Sequence, residues 1–126
     1  GPAELEGLQE AISSPVIAGI RPAPLKTEDI ARALGSDGQC RFIRAVNADP
    51  VLVTDGAGNA VAKISGSLVN FTAQGTATSG GVLSADGGRF TLAPGDADGE
   101  DATLLFELTG ETPLAVGFTG YWTCNG

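Results

Sequence analysis

Histidine is absent from the chain, and its absence excludes more chemistry than any motif present suggests. Without it there is no Ser–His or Cys–His nucleophile, no His-ligated zinc and no His-ligated haem. Methionine is missing too, and the single Tyr and single Trp stand side by side as Tyr121-Trp122. Positive charge is scarce: 7 Lys and Arg face 15 Asp and Glu, for a net charge of −8. The basic residues are scattered from Arg21 to Arg89, so no cationic surface exists to displace counterions from phosphate. Nucleic acid is excluded as a partner on this ground, anionic lipid is disfavoured, and a basic protein would be steered inward. Apolar runs are short and broken by Gly, Pro or charge, so no transmembrane segment is expected. No phosphate-cradling Gly-rich loop leads from a strand into a helix, and no cofactor is expected.

Cysteine is limited to Cys40 and Cys124. A bond between them would clasp everything from Cys40 almost to the chain's end. Closing such a loop removes denatured-state entropy worth about 4–5 kcal/mol in the chain-entropy treatment. Two unrelated buried thiols are the alternative. The disulfide is the expectation, and with it an oxidising compartment, periplasmic or extracellular. The opening Gly1-Pro2 reads more like the remnant of a cleaved tag than a native start, which is compatible with removal of an export signal or lipid-anchor segment.

With 126 residues, 42% hydrophobic and only 17% charged, the chain can bury a core and is far from the composition of disorder. Leu5, Leu8 and Ile12 recur at helical spacing among Glu4, Glu6 and Glu10, predicting a short amphipathic helix that Ser13-Ser14-Pro15 ends. The proline-bearing stretch Val16–Leu25 should be extended. Thr27 is placed as the N-cap of a second helix, with Ile30, Ala33 and Leu34 on its apolar face and Gly35 at its end. From Cys40 the pattern changes to about eight short strands, predicted at 40–46, 51–54, 60–65, 68–72, 81–84, 89–93, 102–108 and 116–124. Turn residues such as Asp55-Gly56-Ala57-Gly58-Asn59 and Asp86-Gly87-Gly88 separate them. The expected fold is mainly β, an antiparallel eight-strand barrel or closed sandwich with two short N-terminal helices. Residues 1–39 would pack as a helical and extended segment on a disulfide-clasped β-domain of residues 40–126.

Few side chains suit catalysis. Lys63 near Ser65 or Ser67 is formally a Ser–Lys pair, but a strand lysine facing solvent or an edge is the simpler reading. Glu107, a carboxylate within a strand, is expected to pair with a cross-strand Arg or face solvent. Asn70-Phe71-Thr72 matches a glycosylation acceptor and reads as coincidence on a strand. Of Tyr121 and Trp122, adjacent on a strand, one should pack inside against the disulfide and the other lie outside as a contact residue. The chain is therefore read as non-enzymatic.

Thr78-Ser79-Gly80-Gly81-Val82, followed by Phe90-Thr91-Leu92 and then Asp101-Ala102-Thr103-Leu104, resembles the periplasmic and membrane-bound inhibitors of C-type lysozyme. The resemblance spans roughly Cys40 to Cys124 and implies a small exported eight-stranded barrel. It places Ser79, with Gly80 and Gly81, where that family's serine enters the lysozyme cleft. The family's lysine falls near Ala93-Pro94-Gly95, where this chain has none; Arg89 is the nearest substitute, out of register.

The function read from these residues is an exported β-domain that binds a protein or cell-envelope component, with Ser79, Gly80, Gly81, Arg89 and Tyr121 as candidate contacts. A basic protein such as lysozyme suits the charge. The alternatives are a lysozyme inhibitor-like protein and a structural envelope domain whose Leu5-Leu8-Ile12 face packs on another copy or a neighbouring domain. No metal site is expected. The acidic run Asp96–Asp101 fails calcium-loop spacing, since aligning Gly99 with the loop's glycine puts Pro94 at the first ligand position and Leu105 at the bidentate one. Millimolar calcium should therefore leave the melting temperature unchanged. A rise of several degrees that a chelator reverses would contradict this.

Overall fold

The structure, a computed structural model, describes residues 3–12, 20–75, 77–95, 101–110 and 113–125. The expected helix end at Ser13-Ser14-Pro15, residues 16–19 of the expected extended stretch, and residues 96–100 of the acidic run lie outside them. Helix α1 (Leu8–Ile12), the two-residue β1 (Pro22–Ala23) and α2 (Thr27–Leu34) precede the main sheet. Its strands are β2 (Cys40–Ile43), β3 (Leu52–Thr54), β4 (Asn59–Ile64), β5 (Ser67–Ala73), β6 (Gly81–Ala85), β7 (Gly88–Ala93), β8 (Asp101–Leu108) and β9 (Leu114–Cys124). Each pairs antiparallel with the next, and β9 pairs back onto β2, closing an eight-strand up-and-down barrel.

Alternation along the strands sets the interior. On β8, Ala102, Leu104, Phe106 and Leu108 are buried while Thr103 and Leu105 are exposed. Phe42, Phe71, Phe90 and Phe106 are fully buried, and the Phe90 ring lies 4.8 Å from that of Phe71 and 4.9 Å from that of Phe106. A barrel of this strand number either is filled by side chains or holds one small ligand. Here rings occupy its centre.

One end of the barrel is closed by α1, whose Leu8 and Ala11 join the interior cluster. The predicted first helix begins later than its apolar spacing suggested. Leu5 lies outside it, 46% exposed, in a parallel bridge with Leu68. The Glu6 N–H donates to the Leu68 carbonyl and the Leu68 N–H to the Glu4 carbonyl, both at 2.7 Å. The cause is a gap in the sheet: β5 meets β6 only through Thr72 and Ala73, so the backbone of Leu68 lacks a strand on that side. Satisfying those groups outweighs one more helical turn.

Helix α2 packs on the outside of the barrel. Its Ile30 joins Leu25, Val53, Val61 and Leu68 in a second cluster, so β3 and β4 are buried on both faces. Gly35 ends α2 in the left-handed conformation, φ 70°, donating to the Ala31 carbonyl at 2.8 Å. At its start Lys26, not Thr27, is the N-cap, because the Asp29 carboxylate accepts the Lys26 N–H at 2.9 Å. Asp29 is itself buried and lies 3.7 Å from the Lys63 ammonium, so Lys63 is covered by α2 rather than solvated.

The remaining end carries the disulfide: Cys40 and Cys124 are bonded across the first rung of the β2–β9 ladder. Beyond the last rung, a Cβ at Gly120 would collide with the Ile43 carbonyl oxygen, so only glycine lets β2 leave β9 there. At the β3–β4 turn, the Asp55 carboxylate accepts the Ala57 N–H at 2.8 Å, the Asn59 N–H at 2.9 Å and the Asn59 side-chain amide at 2.9 Å. Partial desolvation pushes the Asp55 carboxyl up, but the bonds from Asn59 and Ala57 outweigh it and hold it below its ordinary value.

Two outcomes follow for stability. Cys40→Ser should lower the melting temperature clearly, the bond being worth about 4–5 kcal/mol in the chain-entropy treatment, and alkylation of the native protein with mass detection should find no free thiol. Asp55→Ala should cost about 1–2 kcal/mol in denaturant unfolding. Since the folded carboxyl is depressed, that contribution is complete above the ordinary carboxylate range and is lost as pH falls through the lowered value. The variant should thus differ least from wild type in strong acid.

Candidate binding surfaces

Ser79 and Gly80 lie in one turn on the disulfide end of the barrel, and Gly81 follows as the first residue of β6. Thr78 and Ser79 are exposed, whereas Ala77 beside them is buried at φ 63°. The turn is fastened from below. The Trp122 indole N–H donates to the Thr78 carbonyl at 2.9 Å, and the Gly80 N–H donates to the Ala77 carbonyl at 3.0 Å. At Gly80, φ is 85° and a Cβ would stand 2.6 Å from the Leu92 carbonyl and from Pro94, so the turn lies against β7's end. Trp122 is the inward member of the aromatic pair, 5% exposed beside the disulfide, while Tyr121 is half-buried on the outer face opposite Asp101 and Ile43.

Arg89 is not brought to this rim. Gly81 pairs with Leu92, and Arg89 sits three rungs further along β7, about 10 Å away toward the α1 end. Its guanidinium Nε contacts the Glu107 carboxylate at 3.2 Å, cross-strand partners on the outer face. Ser79 thus has no arginine from that position. Lys63 turns to Asp29, away from any Ser–Lys arrangement. Among the described residues, no cluster of Cys, Asp and Glu is placed to hold a metal ion.

A second surface escaped the sequence reading. At the α1 end, the loop between β2 and β3 spreads away from β9 and leaves a groove of about 490 Å³. It is lined by Pro24, Arg44, Ala48, Asp49 and Val51 on one side and Thr119 on the other. The Arg44 guanidinium lies 5.1 Å from the centre of the Phe118 ring, a cation–π contact that closes the core beneath the groove. Val46, 71% exposed, stands in the same loop next to Asn47, whose φ is 65°. These residues come from three separate stretches of chain, and nothing in their local patterns signals that they meet.

No helix among the described residues is long and apolar enough to cross a membrane. No curated protein and no solved structure matches the chain. The match to a family extends over residues 1–126, and the chain belongs to the family described as a domain of unknown function, DUF6692.

Proposed function

We propose that this chain is a non-enzymatic, exported binding domain whose disulfide-end rim engages a protein or a cell-envelope component. One observation carries the reading: the Thr78-Ser79 tip faces solvent while the Trp122 indole holds the Thr78 carbonyl from the core side at 2.9 Å. A turn already fixed in one shape loses little conformational freedom on binding. Tyr121 lies on the outer face next to Trp122 and supplies an amphipathic contact. The ring-filled interior argues against a small molecule carried inside. The disulfide supports an oxidising compartment, the periplasm or the outside of the cell, and the net charge of −8 favours a basic partner.

The exposure of Ser79 favours a second reading, inhibition of C-type lysozyme. That reading lacks a cation beside the serine, since Arg89 pairs with Glu107 at the other end of its strand. A missing buried charge contact costs about 2–5 kcal/mol, or about 1.5–3.5 decades of affinity.

Calorimetric titration with C-type lysozyme and pelleting with purified peptidoglycan test both readings. Binding to at least one is expected at low salt, weakened by Ser79→Tyr and, for lysozyme, by physiological salt, with little inhibition of cell-wall lysis. Failure of both partners to bind at low salt would remove the rim as the binding site. Potent inhibition that Ser79→Tyr abolishes would replace the primary reading with the inhibitor.

A further inference from the structure

Strand β9 is paired on its two sides over different lengths. Toward β8 it pairs from Leu114 to Tyr121, but toward β2 only from Tyr121 to Cys124. Two observations give the phase of its hydrogen bonding. The Cα atoms of Cys40 and Cys124 are 4.0 Å apart, the close spacing of a non-hydrogen-bonded pair. The Asn125 N–H donates to the Gln39 carbonyl at 2.7 Å. The odd-numbered residues therefore turn their backbone groups toward β2. Beyond Tyr121 the same alternation aims the N–H and C=O of Ala115, Gly117 and Thr119 at the place β2 has vacated. Among the described residues none of these groups has a backbone partner there, and all three residues are exposed.

Protein sheets guard such edges with lysine, proline, a bulge or a covering segment. The run Leu114-Ala115-Val116-Gly117-Phe118-Thr119-Gly120 contains neither charge nor proline. The barrel's other incomplete edge, at Leu68, is covered by Glu4-Leu5-Glu6. The β9 edge instead faces the groove of about 490 Å³, which carries one cation, Arg44, and one anion, Asp49.

We propose that this edge is a strand-addition site, which takes an extended polypeptide segment of a partner protein. The segment would bond to the backbone of Ala115, Gly117 and Thr119 and set alternate side chains into the groove beside Pro24 and Val51. Unpaired backbone groups in this alternation are complementary to another extended backbone and to little else. The chain's net charge of −8 selects a neutral or basic segment over an acidic one. The proposal deepens the reading of the domain as a binding module and rests on it, while using a surface separate from the Ser79 rim.

Hydrogen exchange by NMR, followed by selection from a displayed library of random linear peptides, tests it. In dilute protein without peptide, the amides of Ala115, Gly117 and Thr119 should exchange freely, while those of Val116 and Phe118 are protected by β8. Selected peptides should slow exchange at the three open amides and lose about tenfold in affinity when their alternate amides are N-methylated. Gly117→Pro should cause a similar loss, because proline removes an edge donor that β8 does not use. Where that variant's melting temperature falls, Thr119→Lys, which places a charge on the edge, serves in its stead. Ser79→Tyr should leave peptide binding unchanged, which separates failure of this site from failure of the rim. Protection of the three amides in dilute peptide-free protein would mean the chain's own backbone covers the edge. Protection that grows with protein concentration would assign it to a second copy. Either result, or a selection that yields no peptide or only peptides protecting other amides, overturns the proposal.

Discussion

The barrel is closed by four rungs, Cys40 to Ile43 against Cys124 to Tyr121, and the disulfide lies on the first of them. Everything inside depends on that short ladder. Opening it would expose Phe42 and Trp122, release the Thr78 carbonyl that Trp122 holds, and free β3, which reaches β9 only through β2. A four-residue strand pair is a weak closure by itself, and a covalent bond at its outer rung is the means by which a barrel of this size stays shut. The same bond ties rim and core together, because the residue that packs against it also fixes the exposed turn.

The interior is filled unequally. Phenylalanines from β2, β5, β7 and β8 belong to one interior cluster, and small buried residues share the wall with them: Ala60, the register partner of Phe71, and Ala62 on β4, and Ala102 on β8 with its partner Gly120 on β9. Gly120 has a further duty, since its missing side chain is the space through which β2 turns away. With the interior occupied by its own rings, whatever the domain recognises must meet the rims, the strand edges or the outer face. On the outer face α2 covers β3 and β4, anchored by the Lys63–Asp29 pair.

Much of this was legible in the sequence. The positive-φ turn residues punctuate the chain where the strands end, so all eight barrel strands lie within a few residues of their predicted positions. Gly35 stopped α2, Glu107 met a cross-strand Arg, and of Tyr121 and Trp122 the second went inside. The failures share a physical cause, which is dependence on partners far along the chain. Leu5 had helical spacing, yet an unsatisfied strand at Leu68 drew it into a bridge. Lys63 looked like a surface residue until α2, some thirty residues earlier, brought Asp29 against it. Arg89 stood with Ser79 as a candidate contact although out of register with the family's lysine, and strand register sets it three rungs from Leu92, the partner of Gly81. The groove is invisible in one dimension because the loop after β2, the residue after β1 and a residue of β9 form it jointly.

Strand length explains why the two ends of the barrel differ. β2 has 4 residues and β3 has 3, whereas β8 has 8 and β9 has 11. Short strands beside long ones cannot close both ends of a cylinder, so the disulfide end is complete and the α1 end must part. It parts in two places. Between β5 and β6 the chain's own beginning fills the gap with two short backbone hydrogen bonds. Between β4 and β9, β1 supplies two residues on the β4 side, and its Pro22 contributes no donor to the opening. Among the described residues, the β9 side is left with three residues whose backbone groups point into the place β2 has vacated. An unsatisfied edge persists in a folded protein only where water or another chain satisfies it. The uncharged, proline-free sequence from Leu114 to Gly120 does nothing to turn another chain away. Unequal strand lengths thus leave, among the described residues, a stretch of β9 backbone without a neighbouring strand beside a groove of about 490 Å³.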